Sequence, residues 1–126
     1  MDRGLNVLAV DDDFINLKLI HSLLKKNTNI EKVIEATNGL EALNIVKERD
    51  DIDLILLDIK MPIMDGIEFM ENLLLLPEKK DIPVIVLTTD ETKRHEAFEN
   101  GVFDFLVKPI RENDLNEKID KIINVL

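Results

Sequence analysis

Leu54-Ile55-Leu56-Leu57-Asp58-Ile59-Lys60-Met61-Pro62-Ile63-Met64-Asp65-Gly66 is the stretch that decides the fold. Four consecutive apolar residues between acids read as a short strand covered on both faces, because a strand with one wet face alternates polar and apolar side chains. The run stops at the carboxylate of Asp58, and Pro62 and Gly66 punctuate the loop that follows. Helical spacing then continues to about residue 75, so the segment is one strand, one loop and one helix.

The same grammar extends in both directions. Towards the amino terminus, Leu5–Val10 is an apolar run ending in Asp11-Asp12-Asp13. Residues 14–26 then carry Phe14, Leu17, Ile20, Leu23 and Leu24 at the spacing of one helical face. Residues 32–36 form a second short strand, and residues 39–49 a helix with Leu40, Leu43 and Val46 on one face. Towards the carboxyl terminus, Pro77 and Pro83 bracket a polar connection, and residues 84–87 form a fourth strand. Residues 91–100 form a short helix stopped by Gly101. Residues 103–107 are a fifth strand, and Glu112–Val125 a last helix with Leu115, Ile119, Ile122 and Ile123 inward. Leu73 to Leu76 cannot all face a core at helical spacing, so part of that run is exposed.

Five β–α units in 126 residues imply parallel strands joined by right-handed crossovers, hence a doubly wound α/β sheet. An order of 2-1-3-4-5 suits the count and places a ligand site beyond the carboxyl ends of the strands, near the reversal of order. The length is that of one domain, residues 1–126. No stretch approaches the ~20 apolar residues of a membrane span, and the first four residues lack the apolar core of a secretory signal. Cysteine is absent, which excludes disulfides and thiolate chemistry and points to a cytoplasmic protein. A formal net charge of −10 argues against direct nucleic-acid binding and against adhesion to anionic membranes.

The strand ends hold the chemistry. Strand one ends in Asp11, Asp12 and Asp13, strand three in Asp58, strand four in Thr88 and Thr89, and strand five in Lys108 and Pro109. Strands one and three are neighbours in the expected order, so their carboxylates converge. Carboxylates at close range repel, and oxygen-rich sites of this kind suit Mg2+ or Mn2+. Lys108 supplies a point charge for a phosphate oxygen and Thr88 a hydroxyl. Singly, Asp13 reads as a helix N-cap, Asp58 as a turn cap, Thr88 as a strand-end hydroxyl and Lys108 as a surface charge. Together at four strand ends they make a phosphoryl-transfer site, where catalysis is positioning and charge stabilisation. His21 and His95 lie on polar helix faces and read as surface residues.

In these segments, Val10-Asp11-Asp12-Asp13, the stretch from Leu56 to Gly66, Val86-Leu87-Thr88-Thr89 and Val107-Lys108-Pro109-Ile110, the chain resembles the receiver domain of two-component response regulators. The resemblance runs over essentially the whole length. It implies the flavodoxin-like fold with strand order 2-1-3-4-5, which is the family's own order and so not an independent derivation. It further implies that Asp58 accepts a phosphoryl group from a phosphohistidine of a histidine kinase or phosphotransfer protein. Asp12 would bind the metal directly, Asp11 mainly through water, and the backbone carbonyl of Lys60 would be the third protein ligand beside Asp58. Thr88 would follow the phosphoryl group, Lys108 would pair with it, and Phe105 would be the switch aromatic. A cis Lys108–Pro109 bond is common in the family. Output, and any dimer, would use the face of the fourth helix, fifth strand and fifth helix.

Some positions are this chain's own. Thr89 stands where the family usually has a smaller residue, and would narrow access to the phosphoryl group. Lys60 and Asp90 flank the acceptor from two loops, and their pairing would gate water and set the phosphoryl lifetime. Asn16 resembles receivers within hybrid sensor kinases, so the chain is either a free-standing receiver or a fragment of a larger regulator. A haloacid-dehalogenase-like phosphatase is the competing enzyme, but its general acid would fall at Lys60. A flavin module would meet three aspartates where its phosphate loop should be, and a degenerate scaffold would lack the acceptor or the lysine.

Overall fold

The computed structural model describes residues 4–89, 92 and 94–125. Its sheet has five parallel strands in the order β2-β1-β3-β4-β5, namely β1 (Leu5–Val10), β2 (Ile30–Ala36), β3 (Leu54–Asp58), β4 (Val84–Thr88) and β5 (Asp104–Val107). The three central strands are buried at every position, while edge strand β2 exposes Glu31, Lys32 and Glu35. Charged side chains on an edge strand discourage pairing with another chain.

Five helices cover the sheet: α1 (Phe14–Lys25), α2 (Gly39–Glu48), α3 (Gly66–Leu73), α4 (Arg94–Glu99) and α5 (Glu112–Val125). Successive strand residues point to opposite faces, so one continuous apolar run serves two cores. Leu8, Val10, Ile55, Leu57 and Val86 pack with Val46, Phe69 and Ala97 of α2, α3 and α4. Val7, Ala9, Leu54, Leu56 and Ile85 pack with Leu17, Ile20, Leu115 and Ile119 of α1 and α5. Among the described residues no helix is long and apolar enough to cross a membrane.

The first three helices start on side-chain caps. Asp13 accepts from Ile15 N at 2.9 Å and Asn38 from Glu41 N at 2.8 Å. Asp65 and Glu68 form a reciprocal capping box at the start of α3. Gly101 ends the α4 region at φ +85, a conformation glycine adopts without a Cβ penalty.

Two residues that share the periodic faces with buried ones are themselves exposed. Phe14 is 64% exposed and Leu40 is 43% exposed. Both lie in the first turn of a helix, directly after the loops that leave the strand ends. Phe14 instead carries the Lys18 ammonium 4.8 Å from its ring centroid. Strand β2 also begins two residues earlier than the pattern predicts, α3 ends at Leu73, and among the described residues α4 covers Arg94–Glu99. Residue 91, where the fourth helix was expected to begin, lies outside the described residues. Of the leucine run, Leu73 is buried, Leu75 is 77% exposed and the others lie between.

Candidate functional site

The carboxyl edge of the sheet brings the strand ends together as the order requires. Strand β1 pairs with β3 and β3 with β4, with Asp58 opposite Leu87 and Thr88 opposite Val107. One carboxylate oxygen from each of Asp11, Asp12 and Asp58 lies within 4.8 Å of the others. Asp11 is fully buried, Asp58 and Thr88 are nearly so, and Asp12 opens to solvent.

Hydrogen bonds fix this cluster. Asp11 Oδ1 accepts from Asp13 N at 2.9 Å, and Asp11 N donates to Ala36 O at 3.1 Å. Asp58 Oδ1 accepts from Ile59 N at 2.9 Å. Lys108 donates to Asp11 Oδ2 at 2.8 Å, with its Nζ 3.4 Å from Asp58 Oδ1. The Lys108 amide bonds Thr88 O at 2.8 Å, tying hydroxyl and ammonium to one backbone link. The Lys108–Pro109 peptide is cis.

The loop after β3 fits only with glycine at its end. A Cβ on Gly66 would overlap the Asp58 carbonyl oxygen, and the Gly66 amide bonds Ile59 O at 2.8 Å. Gly39 lets the start of α2 approach Met64, whose carbonyl accepts from Gly39 N at 2.8 Å. Ile63 sits in this loop at φ 70, strained for a β-branched residue, and is 75% exposed.

The electrostatics show what the cluster lacks. Burial, and then the Asp11 charge, push the Asp58 carboxyl from the ordinary 3.8 up to about 6, against the pull of Lys108 and the Ile59 amide. Burial opposes the charge on Lys108, but its hydrogen bond to Asp11 and the charges of Asp58 and Asp11 outweigh it and hold its pKa above the ordinary lysine value. One ammonium thus serves both Asp11 and Asp58 in a cluster of three carboxylates, and Asp58 remains short of positive charge. A hard divalent cation on oxygen ligands answers that deficit, so the donor set fits Mg2+ or Mn2+. Next to the cluster lies a cleft of about 510 Å³ lined by Asp12, Lys60, Met61, Asp65, Glu68 and Glu96.

Every predicted strand-end residue is therefore at this edge. Lys60 lines the cleft and Thr89 is exposed, whereas Asp90 lies outside the described residues, and with it the expected Lys60–Asp90 pairing. Phe105 is buried, in β5 opposite Val86. Two features carried no sequence signal. One is the backbone strain at Ile63. The other is Arg94, whose guanidinium carbon lies 5.8 Å from the Phe105 ring centroid and 5.7 Å from that of Phe98.

Comparison with known proteins agrees with this geometry. Residues 7–120 match the response regulator receiver domain. The chain is 39% identical over 126 residues to the cyclic di-GMP phosphodiesterase response regulator RpfG of Xanthomonas campestris pv. campestris, with 98% of this chain and 33% of that protein covered. It is 33% identical over 128 residues to the chemotaxis protein CheY-3 of Vibrio cholerae, with 100% of this chain and 97% of that protein covered. The chain therefore spans a third of the first relative and nearly all of the second. Among solved structures, chemotaxis response regulator CheY4 of Vibrio cholerae superposes with a TM-score of 0.85 at 29% identity, covering 94% of this chain and 98% of that one. Receiver domains bind Mg2+ through an acidic pocket and interact with histidine kinases or phosphotransfer proteins. Sequence match and fold agree over nearly the whole length, and the chain belongs to the receiver domains of response regulators, the phosphorylation-dependent switches of two-component signalling.

Proposed function

We propose that Asp58 is the phosphoacceptor of a single receiver domain spanning residues 1–126, and that a phosphohistidine on a kinase or phosphotransfer protein is its donor. The observation that carries this reading is the buried Asp58 carboxylate, held beside Asp11 and reached by a lysine that both share. A carboxylate oxygen of Asp58 attacks phosphorus in line with the phosphorus–nitrogen bond. The oxygen–phosphorus bond forms as that bond breaks, and its electron pair returns to the leaving imidazole. Lys108 follows the phosphoryl oxygens, and the Thr88 hydroxyl donates to one of them. Asp11, Asp12, Asp58 and the backbone carbonyl of Lys60 would hold Mg2+, which neutralises phosphoryl charge when bound. Hydrolysis of the acyl phosphate resets the domain, so its catalysis is confined to its own phosphorylation and dephosphorylation.

The acyl phosphate acts through contacts that differ between two states, here those of Thr88 and Lys108, with Phe105 as the aromatic that moves. Output and any dimerisation use the face of α4, β5 and α5, and the setting is the cytoplasm. Lys60, Thr89 and Asp90 modulate the phosphoryl lifetime by limiting water at the acceptor. The test is intact mass after incubation with Mg2+ and a small acyl phosphate. One added phosphoryl group, absent without Mg2+ and absent in Asp58→Ala, is the expected result. An adduct that persists in Asp58→Ala overturns the assignment. If no adduct accumulates, a stable beryllofluoride complex separates rapid hydrolysis from an inert domain.

A further inference from the structure

We propose that Arg94 is a positioning residue for activation: its guanidinium lies over the rings of Phe105 and Phe98 together, holds Phe105 inward, and thereby raises the affinity of the domain for the phosphoryl state. The proposal rests on the reading of Phe105 as the switch aromatic. Both ring distances, 5.8 Å and 5.7 Å, fall within the reach of a cation–π contact. Phe105 is buried in the core under α4, whereas Phe98 is 39% exposed on α4 itself. Arg94, the first residue of α4, therefore bridges a sheet ring and a helix ring.

Chemistry favours an arginine in this place. Guanidinium is planar and weakly hydrated, so it stacks on aromatic faces better than an ammonium does. Phe105 has no hydroxyl, so no hydrogen bond competes to set its position. Packing and the ring face decide it, and the ring face is where Arg94 acts. The coupling to the site is short. Phe105 pairs with Val86, and two residues further along the same two strands Thr88 pairs with Val107, next to Lys108. With the inward ring read as the phosphoryl-binding state, whatever favours it before phosphorylation raises the affinity for the phosphoryl group, by at most the factor by which it shifts the ring.

The test uses the full chain labelled with 4-fluorophenylalanine, with Phe105→Leu to assign the Phe105 fluorine resonance. In the metal-free protein, Arg94→Ala should move that resonance towards the solvent-exposed value, and Arg94→Lys should recover part of the shift. With Mg2+ present, beryllofluoride affinity should fall roughly two- to fivefold in Arg94→Ala, the range of one exposed cation–π contact. The melting temperature should hold, because the Arg94 side chain is exposed. A Phe105 resonance that stays in place in Arg94→Ala overturns the clamp. A ring that moves without any loss of beryllofluoride affinity overturns its role in activation. If the wild type binds no beryllofluoride, or Asp58→Ala binds it equally, the Asp58 reading fails, and the metal-free resonance still decides the clamp.

Discussion

The two edges of the sheet carry polar clusters of similar composition and opposite character. At the amino edge, Arg49 donates to both oxygens of Asp51 at 2.9 and 2.7 Å, and Lys79 pairs with Asp50 at 2.8 Å. Asn6 adds its amide to Asp53 at 2.8 Å and its Nδ2 to the Asp51 carbonyl at 3.0 Å. At the carboxyl edge, three carboxylates converge and only one lysine, shared by Asp11 and Asp58, pairs with them among the described residues. The same side chain responds in opposite directions. The Arg49 hydrogen bond holds the Asp51 carboxyl below its ordinary value, while burial and Asp11 push Asp58 up to about 6. One edge satisfies its charges and closes the fold, and the other keeps a charge deficit that a cation and a phosphoryl group can use.

Removing the shared lysine should have the largest effect on stability. Lys108→Ala leaves Asp11 buried without its ion pair, a loss of about 3 kcal/mol in the metal-free protein. Mg2+ should restore more stability to this variant than to the wild type, because the cation then replaces the missing ammonium. Urea unfolding with and without Mg2+ measures both, and equal Mg2+ stabilisation of the two proteins would break the contrast between the edges.

Asp58→Asn should act in the opposite direction. Because the folded pKa of Asp58 lies near 6 and its ordinary value near 3.8, the folded state binds the proton more tightly than the unfolded chain. The Asp58 contribution is thus most favourable below about pH 4 and is lost as the pH rises through 6. At pH 8 without metal, Asp58→Asn should be more stable than wild type by about 2 kcal/mol, with the gap closing at pH 4. Denaturation of both proteins across that range checks the sign, and added Mg2+ should shrink the gap at pH 8. Ile63→Gly, which relieves the positive φ after the same strand, should stabilise by about 1 kcal/mol in thermal melts.

The parts of this contrast differ in how far the residue order reveals them. Leu54 to Asp58 is legible because a strand buried on both faces leaves a continuous apolar run, and the topology then sends every strand end to one edge. The placement of Asp11, Asp58, Thr88 and Lys108 at that edge follows from the rule, and their separate roles from the family resemblance. Phe14 and Leu40 mislead because helical periodicity does not say how much of a first turn is covered. The strain at Ile63 is invisible since isoleucine argues against a positive φ. The contact of Arg94 with Phe105 depends on the start and tilt of a six-residue helix, which neither periodicity nor a cap specifies.

The smallest expected effect is the sharpest check on the amino edge. Asn6 is buried, and its Oδ1 has no hydrogen-bond partner among the described residues. Asn6→Leu removes that unpaired acceptor and adds apolar volume, but it also removes the Nδ2 bond to the Asp51 carbonyl. The desolvation cost relieved at Oδ1 opposes the loss of the Nδ2 contacts to Asp51, so stability should shift by less than about 1 kcal/mol. Neither change touches Asp11, Asp58 or Lys108, which lie at the other end of the strands, so phosphoryl uptake should match wild type. A slower uptake with unchanged stability would show that Asn6 reaches the site through β1, and the division of the sheet into a structural edge and a chemical edge would fail.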